Sequence, residues 1–132
     1  MPPQTHLAID PELVGRPLEL APGRASCVLE TTQAMVTDDR GLIHGGFVFG
    51  LADYAAMLAV NDPNVVLGAA ETRFTAPASH PTRITATATV IADAGARREV
   101  AVEALADDTV ILRGTFTCFV LDHHVLDDKE SG

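Results

Sequence analysis

Residues 41–62 read GLIHGGFVFGLADYAAMLAVND, and this stretch decides the fold. From 47 to 61 the run is apolar on every face apart from Gly50, Asp53 and Tyr54. A helix that is hydrophobic all round belongs inside a protein or a bilayer. A bilayer span is disfavoured, because the run has no basic flank and because an Asp in mid-helix costs about 3 kcal/mol on insertion. The sequence therefore predicts a buried central helix.

Both ends of this helix are marked in the sequence. Gly45 and Gly46 let the backbone turn sharply and leave the first free N–H groups uncovered. Those N–H groups carry the positive end of the helix dipole, which would stabilise a carbonyl oxygen that gains negative charge. Asn61, Asp62 and Pro63 then supply turn formers and a helix breaker, so the helix is predicted to end there.

The spacing of two residues on this helix limits what one chain can do. Gly46 and Asp53 are seven residues apart, so they share a face of the helix. At 1.5 Å per residue they are also about 10 Å apart along its axis. One small reacting group cannot touch both residues of a single helix.

Length and charge exclude several classes of protein. The 132 residues correspond to one domain with a single core, and 47% of them are hydrophobic. The net charge is -9 and the pI is near 4.7, which argues against nucleic acid or an anionic membrane surface as partner. Residues 1–10 have no basic start and no apolar core, so we predict no signal peptide and a cytoplasmic protein.

The chain contains two cysteines, Cys27 and Cys118, both in strand-like runs. Their spacing suits no metal site. Two buried free thiols in a reducing cytosol are favoured over a disulfide. No second His, Cys or carboxylate lies at ligand spacing from His44, so no metal site is predicted there either.

Alternating apolar and polar residues predict strands on both sides of the helix. An irregular lead-in is expected over 1–14, one domain over 15–121 and an acidic tail over 122–132. The predicted strands are 15–20, 24–32, 65–74, 83–92, 98–106 and 109–121, with turns at 77–81, 93–96 and 107–108. One buried helix between early strands and a run of antiparallel strands predicts an α+β domain in which a sheet wraps around the helix.

Two motifs resemble those of a known family. His44-Gly45-Gly46, followed by Asp53 nine residues after the His, resembles the central-helix motif of hotdog-fold thioesterases, closest to the phenylacetate-pathway type of acyl-CoA thioesterase. The segment 73–78, RFTAPA, resembles that family's strand ending in a Phe-x-x-Pro step. The resemblance covers roughly residues 15 to 121. It implies the hotdog fold, acyl-CoA as substrate and no cofactor.

The resemblance also implies roles for individual residues. Asp53 would be the carboxylate that acts as general base or nucleophile. The N–H of Gly46 would be the oxyanion donor, and His44 and Gly45 would lie near the acyl group. A structural role for each residue remains the alternative: a hydrogen-bonded Asp, a tightly packed helix entrance and a histidine that bonds locally.

Two positions depart from the family pattern. Relatives often carry Asn six residues before the His, where this chain has Asp38, which cannot donate a hydrogen bond when ionised. Asp38 is kept as a substrate-binding candidate beside the alternative of an ordinary loop residue. Some relatives carry a hydroxyl residue near the position of Leu67, and this chain offers an apolar side chain there.

A coenzyme A site in an acidic protein needs local arginines. Arg97 and Arg98, at a predicted hairpin, are the leading candidates for contacts with its phosphates, followed by Arg83 and Arg73. Ordinary solvated arginines at strand ends are the alternative.

The spacing of Gly46 and Asp53 predicts a homo-oligomer, either a dimer or a dimer of dimers. Two such helices packed antiparallel about a two-fold axis would bring Asp53 of one chain near Gly46 of the other. The resemblance implies this same arrangement, with two sheets joined edge to edge. Active sites would then lie at the subunit interface.

Two other functions compete with that of a thioesterase. A non-catalytic acyl-CoA-binding module of the same fold would keep the pocket but need no carboxylate at position 53, so Asp53 favours the enzyme. A hydratase or dehydratase of this fold would use an Asp-x-Asn-x-x-His motif, and the sequence lacks one. The acyl group itself cannot be read from the sequence.

Overall fold

A computed structural model describes residues 1–127 of the chain. The central helix, α2, spans Gly45–Val60, within the range predicted for it. Nine of its residues are buried, which accounts for its apolar surface. Asn61 ends it in the left-handed conformation, with φ of 52°, and donates its N–H to the carbonyl of Met57 over 2.8 Å. The predicted start and stop signals are therefore confirmed.

A six-stranded antiparallel sheet packs against α2 within residues 1–127 and wraps around it, which is the hotdog fold. In space the strands follow the order β1-β2-β4-β5-β6-β3. Their bounds are β1 Arg16–Ala21, β2 Arg24–Glu30, β3 Val65–Phe74, β4 Arg83–Ala94, β5 Arg97–Ala106 and β6 Thr109–Val120. The α+β hotdog prediction is confirmed.

The inner face of the sheet follows the predicted alternation. On β4, Ile84, Ala86 and Ala88 are fully buried against the helix, and the threonines between them face outward. The alternation fails at two points. Val28 on β2 is buried between Cys27 and Leu29. The second point is Ile111 on β6, which is buried next to Leu112. A bulge in the pairing of β5 and β6 lies opposite this point and shifts the register of the faces there.

The predicted irregular lead-in, 1–14, contains a short helix. This helix, α1, spans Pro11–Val14. Asp10 caps it by accepting the N–H of Glu12, and proline suits the first helical position because its missing N–H would be unpaired there anyway. A single turn of 3-10 helix, Gln33–Met35, also lies in a segment for which no regular structure is predicted.

The two edges of the sheet differ. β1 forms one edge, and it is short, contains Pro17 and carries a bulge between Pro17 and Glu19. β3 forms the other edge over ten residues without a proline, and its bulge lies beside Gly68. Proline and bulges discourage the pairing of another strand, so β3 is the more open edge.

Two further predictions concern the chain as a whole. Both cysteines are free thiols and are fully buried, as expected. Within residues 1–127, no helix is both long and apolar enough to cross a membrane. Of the predicted acidic tail, residues 128–132 lie outside the described residues.

Candidate active site

Asp53 lies on the side of α2 that faces the inner surface of β6. One turn earlier, the Phe49 ring packs on that of Phe116, with ring centroids 5.4 Å apart. Asp53 itself is close enough to Cys118 for its charge to contribute, after burial, to the raised pKa of that thiol. The residue therefore faces β6 and lies on the side of the open edge strand β3.

The carboxylate of Asp53 is poorly solvated and unpaired. Among the described residues, its Oδ1 is the buried side-chain oxygen without a hydrogen-bond partner. Burial raises the pKa of Asp53 from 3.8 to about 6. An unpartnered buried carboxylate costs stability unless a ligand or a function uses it. A pKa near 6 lets the group exchange a proton close to neutral pH.

Gly46 lies in the first turn of α2, but its N–H is already in use. It donates a hydrogen bond of 2.8 Å to Nδ1 of His44, which makes His44 the N-cap of the helix. A Cβ atom on Gly46 would lie 2.9 Å from that same Nδ1, so the ring lies directly against the glycine. The predicted oxyanion donor is therefore not free while the His44 ring is in this position.

The N–H of Gly45 is free. Across residues 1–127 it makes no hydrogen bond, whereas the N–H of Phe47 already reaches the carbonyl of His44. A Cβ atom on Gly45 would lie 3.1 Å from the ring of Phe74, so the last residue of β3 packs against the start of the helix. The positive end of the helix dipole and one unpaired donor thus meet at this point.

One chain does not bring Gly46 and Asp53 together. Both residues lie in a single uninterrupted helix of 16 residues. Their separation along the axis is therefore about 10 Å. A reacting carbonyl within roughly 3 Å of one group is out of reach of the other.

Asp38 lies in the loop before the helix and stabilises that loop. Its Oδ1 accepts the N–H groups of Arg40 and Leu42 at 3.0 and 3.2 Å. The Asp38 side chain is exposed, and this oxygen is committed to the turn. The contacts favour the alternative role as a loop residue.

Arg97 and Arg98 follow the turn between β4 and β5, and carboxylates hold both of them. Arg97 contacts Glu99 at 2.7 Å, and Arg98 contacts Asp93 at 3.1 Å while donating to the carbonyl of Gly95 at 2.7 Å. Neighbouring residues of a strand point to opposite faces, so the two guanidinium groups leave the sheet on different sides. They do not form one phosphate clamp as they stand.

The hairpin that carries these arginines lies far from the start of α2. The N–H of Val120 bonds to the carbonyl of Ala96, and Leu121 bonds to Asn64, just beyond the C-terminal end of the helix. The 16-residue helix is about 24 Å long, so His44, Gly45 and Gly46 lie near the opposite end of the domain.

Two features of the site were not predicted from the sequence. Phe74 belongs to the motif at 73–78, but its contact with Gly45 was missed. Leu67 pairs with Cys118, so the apolar side chain noted as a departure lies on the inner face near Asp53. The alternation of residues along β3 could have indicated which face Phe74 and Leu67 lie on. The bulge at Gly68 shifts that alternation, so the sequence pattern alone does not give the answer. Among the described residues no group of side chains is arranged to hold a metal ion.

Comparison with solved structures identifies the fold. A crystal structure of a mutant of the phenylacetic acid degradation protein PaaI from Thermus thermophilus matches with a TM-score of 0.76 and 29% identity, over 84% of this chain and 97% of that chain. A hypothetical thioesterase from Streptococcus pneumoniae, solved with coenzyme A, shares the fold at 15% identity, with a TM-score of 0.74 over 83% of this chain and 87% of that chain. The fold is that of the hotdog thioesterases.

A nearer relative places the chain in a family. An uncharacterized protein from Pyrococcus horikoshii matches with a TM-score of 0.95 and 48% identity, covering 96% of this chain and 98% of that chain. The chain belongs to the family of that protein. No protein-family model matches the sequence.

Curated relatives carry other names. A methylthioribose-1-phosphate isomerase from Aquifex aeolicus is 44% identical over 120 residues, which is 90% of this chain and 26% of the isomerase. A transcription factor FapR from a Thermoanaerobacter species is 27% identical over 116 residues, which is 87% of this chain and 58% of the factor. The chain thus spans about a quarter of the first relative and little more than half of the second.

Proposed function

We propose that the protein is an acyl-CoA thioesterase that hydrolyses a thioester to a carboxylic acid and free CoA. The observation that carries the proposal is Asp53, a carboxylate with an unpartnered buried oxygen and a pKa raised to about 6. As a general base it takes a proton from water while the water oxygen bonds to the thioester carbon. The carbon–sulfur bond then breaks, and the proton passes to the departing thiolate. As a nucleophile it would instead form an anhydride that water opens.

The start of α2 supplies the oxyanion site in this proposal. The thioester carbonyl gains negative charge as it is attacked, and N–H donors at a helix N-terminus stabilise that charge. The N–H of Gly45 is free, and the N–H of Gly46 joins it when the ring of His44 turns away. Substrate binding would therefore compete with the helix cap.

The proposed enzyme is a homodimer or a dimer of dimers with shared sites. Gly46 and Asp53 of one helix cannot reach the same carbonyl, so the second group comes from another copy. The open edge β3, rather than the interrupted edge β1, is the surface through which two sheets would pair. Antiparallel helices would then place each Asp53 near the glycines of the other copy.

The phosphates of CoA need positive charge, although the chain carries a net charge of -9. We propose Arg97 and Arg98 as contacts, with the phosphates displacing Glu99 and Asp93 as their partners. Arginine binds phosphate with charge-assisted and often paired hydrogen bonds. Asp38 is proposed only as support for the loop that leads to His44.

A non-catalytic acyl-CoA-binding module is the second candidate. Three observations favour it: the cap on Gly46, the apolar Leu67 in place of a hydroxyl, and the similarity to a transcription factor. Such a module would bind the ligand and release it unchanged.

One experiment separates the two candidates. Thiol release from a panel of acyl-CoAs is followed with a thiol-reactive dye, for the wild type and for Asp53→Asn. An enzyme shows turnover that Asp53→Asn lowers by about 10² to 10⁴. Binding of the same acyl-CoAs without thiol release would establish the binding module and refute the thioesterase.

A further inference from the structure

A cavity of about 390 Å³ lies between the start of α2 and the segment after β3. We call it the loop pocket. Its lining is mainly apolar and comes from Ile43, Val48, Phe74, Ala76, Ala78 and Ile111. Gly45, Thr75 and Pro77 complete it, so no ionisable side chain among the described residues faces the cavity.

The one hydroxyl group in this lining is already satisfied. Thr75 donates its Oγ1–H to the carbonyl of Val110 over 2.7 Å, and its N–H bonds to the carbonyl of Ile111 over 3.0 Å. The loop pocket therefore offers a ligand mainly apolar side chains, together with polar groups of the backbone. Apolar groups gain free energy when they enter such a site from water.

The loop pocket adjoins the proposed oxyanion site. Gly45, whose N–H is free, belongs to its lining and packs against Phe74. In the single chain Phe74 is 55% exposed, so the cavity opens beside the start of the helix and next to the edge β3 at which a second copy is proposed to pair. Because Gly45 is part of the cavity wall, a thioester carbonyl held by its N–H would place the acyl substituent within reach of the cavity.

Resting on the proposed function, we propose that the loop pocket binds the acyl group of the substrate and selects uncharged acyl groups of medium size. An apolar cavity of about 150 Å³ holds a benzene ring. A cavity of about 390 Å³ accordingly accepts an aryl ring or a chain of about six to ten carbons. A carboxylate, as in a succinyl group, would meet no positively charged side chain in the cavity and is excluded.

Chain-length dependence tests the proposal in the wild type. Each methylene that enters the cavity should raise kcat/KM roughly fourfold, from acetyl-CoA upward until the cavity is full. Succinyl-CoA should be at least about a hundredfold worse than butyryl-CoA. A rate that does not depend on chain length, or a preference for succinyl-CoA, would overturn the assignment of the loop pocket while leaving the thioesterase in place.

Filling the cavity gives a second test with a matched control. Ala76→Leu adds three carbons to a half-buried wall residue, so the ratio of octanoyl to acetyl turnover should fall about 60-fold. Ala92→Leu makes the same change on the exposed part of β4, outside the loop pocket, and should leave the ratio at its wild-type value. Equal ratios in both variants would refute the proposal.

If the cavity-filling variant Ala76→Leu fails to fold, a variant that enlarges the cavity still tests the proposal. Phe74→Ala removes a half-exposed ring from the entrance and should move the preferred chain two or more carbons longer. An unchanged optimum in a folded Phe74→Ala protein would count against the loop pocket. If the wild type releases no thiol, calorimetric titration with the same acyl-CoAs still decides the assignment. An affinity that rises with chain length would support the loop pocket even though the proposed thioesterase activity is refuted. An affinity that does not depend on chain length would refute both proposals.

Discussion

The N–H of Gly46 donates to Nδ1 of His44 over 2.8 Å, so the side chain that caps the helix covers the donor that the proposed reaction needs. A helix cap of this kind contributes about 1 kcal/mol to stability. Binding a carbonyl at Gly46 therefore carries that cost, unless the ring finds another partner in the complex.

Replacing His44 should separate its contribution to stability, as the cap of α2, from its effect on catalysis, as the group that covers the N–H of Gly46. His44→Ala removes the cap and should lower the free energy of unfolding by about 1 kcal/mol, whereas His44→Asn keeps a good capping residue and should lower it less. Because the freed donor can serve the oxyanion, kcat should fall less than tenfold in either variant. Urea unfolding and steady-state kinetics measure the two effects. A fall in kcat comparable to that of Asp53→Asn would instead make His44 part of the chemistry.

Activity should depend on pH through Asp53. Burial raises the pKa of Asp53 to about 6, and a general base acts in its ionised form. The value of kcat/KM should therefore rise tenfold per pH unit below about pH 6 and level off above it. The rate is measured with one acyl-CoA between about pH 4.5 and 8. A profile that stays flat down to about pH 4.5 would exclude a carboxylate with this pKa as the base.

Asp53 should also make the free energy of unfolding depend on pH. Because its pKa is raised from 3.8 to about 6 in the folded state, the folded protein binds the proton more tightly than the unfolded chain does. The contribution of Asp53 to the free energy of unfolding is thus most favourable below about pH 4 and is lost as the pH rises to about 6. The difference is at most about 3 kcal/mol, and partial exposure reduces it to about 1 to 2 kcal/mol. Asp53→Asn should lack this loss of stability. The free energy of unfolding of both proteins is measured by chemical unfolding at several pH values. An equal dependence on pH in the two proteins would contradict the prediction.

Complementation tests the shared site. Asp53→Ala and Gly46→Val should each be inactive alone, the second because a β-branched side chain at the helix entrance would crowd the N–H that faces the thioester carbonyl. Mixed dimers contain one site with both wild-type residues, so exchange of subunits should restore activity, up to about a quarter of the wild-type value per total protein in an equal mixture with random pairing. Exchange is followed by mass spectrometry of differently sized tags. Confirmed exchange without activity would refute a site built from two chains.

Arg98 should contribute to binding the CoA part of the substrate but not to binding its acyl group. Arg98→Gln should raise KM for acyl-CoA about three- to tenfold, because a charge-assisted hydrogen bond to phosphate is lost. The matched substrate is the corresponding acyl-pantetheine, which lacks the nucleotide phosphates and should react equally well with both proteins. Arg97→Gln provides the comparison on the opposite face of the sheet. If neither variant changes KM for acyl-CoA, the phosphates bind elsewhere.

Gly50 offers a test of the helix itself. A Cβ atom there would make an ordinary contact of 3.8 Å with Val14, so Gly50→Ala should stabilise the fold by about 0.5 to 1 kcal/mol. Gly114 is the control, because a Cβ atom there would lie 2.6 Å from both the carbonyl oxygen of Glu71 and Cγ2 of Thr72. Gly114→Ala should therefore destabilise the protein. Thermal unfolding distinguishes the two changes, and a loss of stability in Gly50→Ala would contradict the packing of α1 on the helix.

The sequence predicted the elements well, because each has a strong local cause. Uniform apolarity with glycines at one end and Asn61 at the other marks α2, and alternating threonine and apolar residues mark β4. The burial of Ile111 could not be predicted, because it depends on a bulge between two strands. Local patterns do not encode such pairings.

The contacts of the candidate residues could be predicted only in part, for a similar reason. The type of residue singles out Asp53, since a carboxylate within an apolar helix stands out in any sequence. The cap on Gly46 depends on the orientation of the His44 ring, and the pairing of Arg98 with Asp93 depends on how the hairpin closes. These are contacts between side chains, which spacing alone does not specify.

The difference between the two edges of the sheet limits how large an assembly can grow. The proposed pairing through β3 would use up the open edge of each copy, and the joined sheet would then end on both sides in β1. Pro17 lacks the N–H that an incoming strand requires, and the neighbouring bulge breaks the regular spacing of the donors that remain. In the proposed dimer, addition of strands would therefore stop at two copies instead of continuing into a fibre. A substitution that straightens β1, such as Pro17→Val, would remove this barrier to polymerisation.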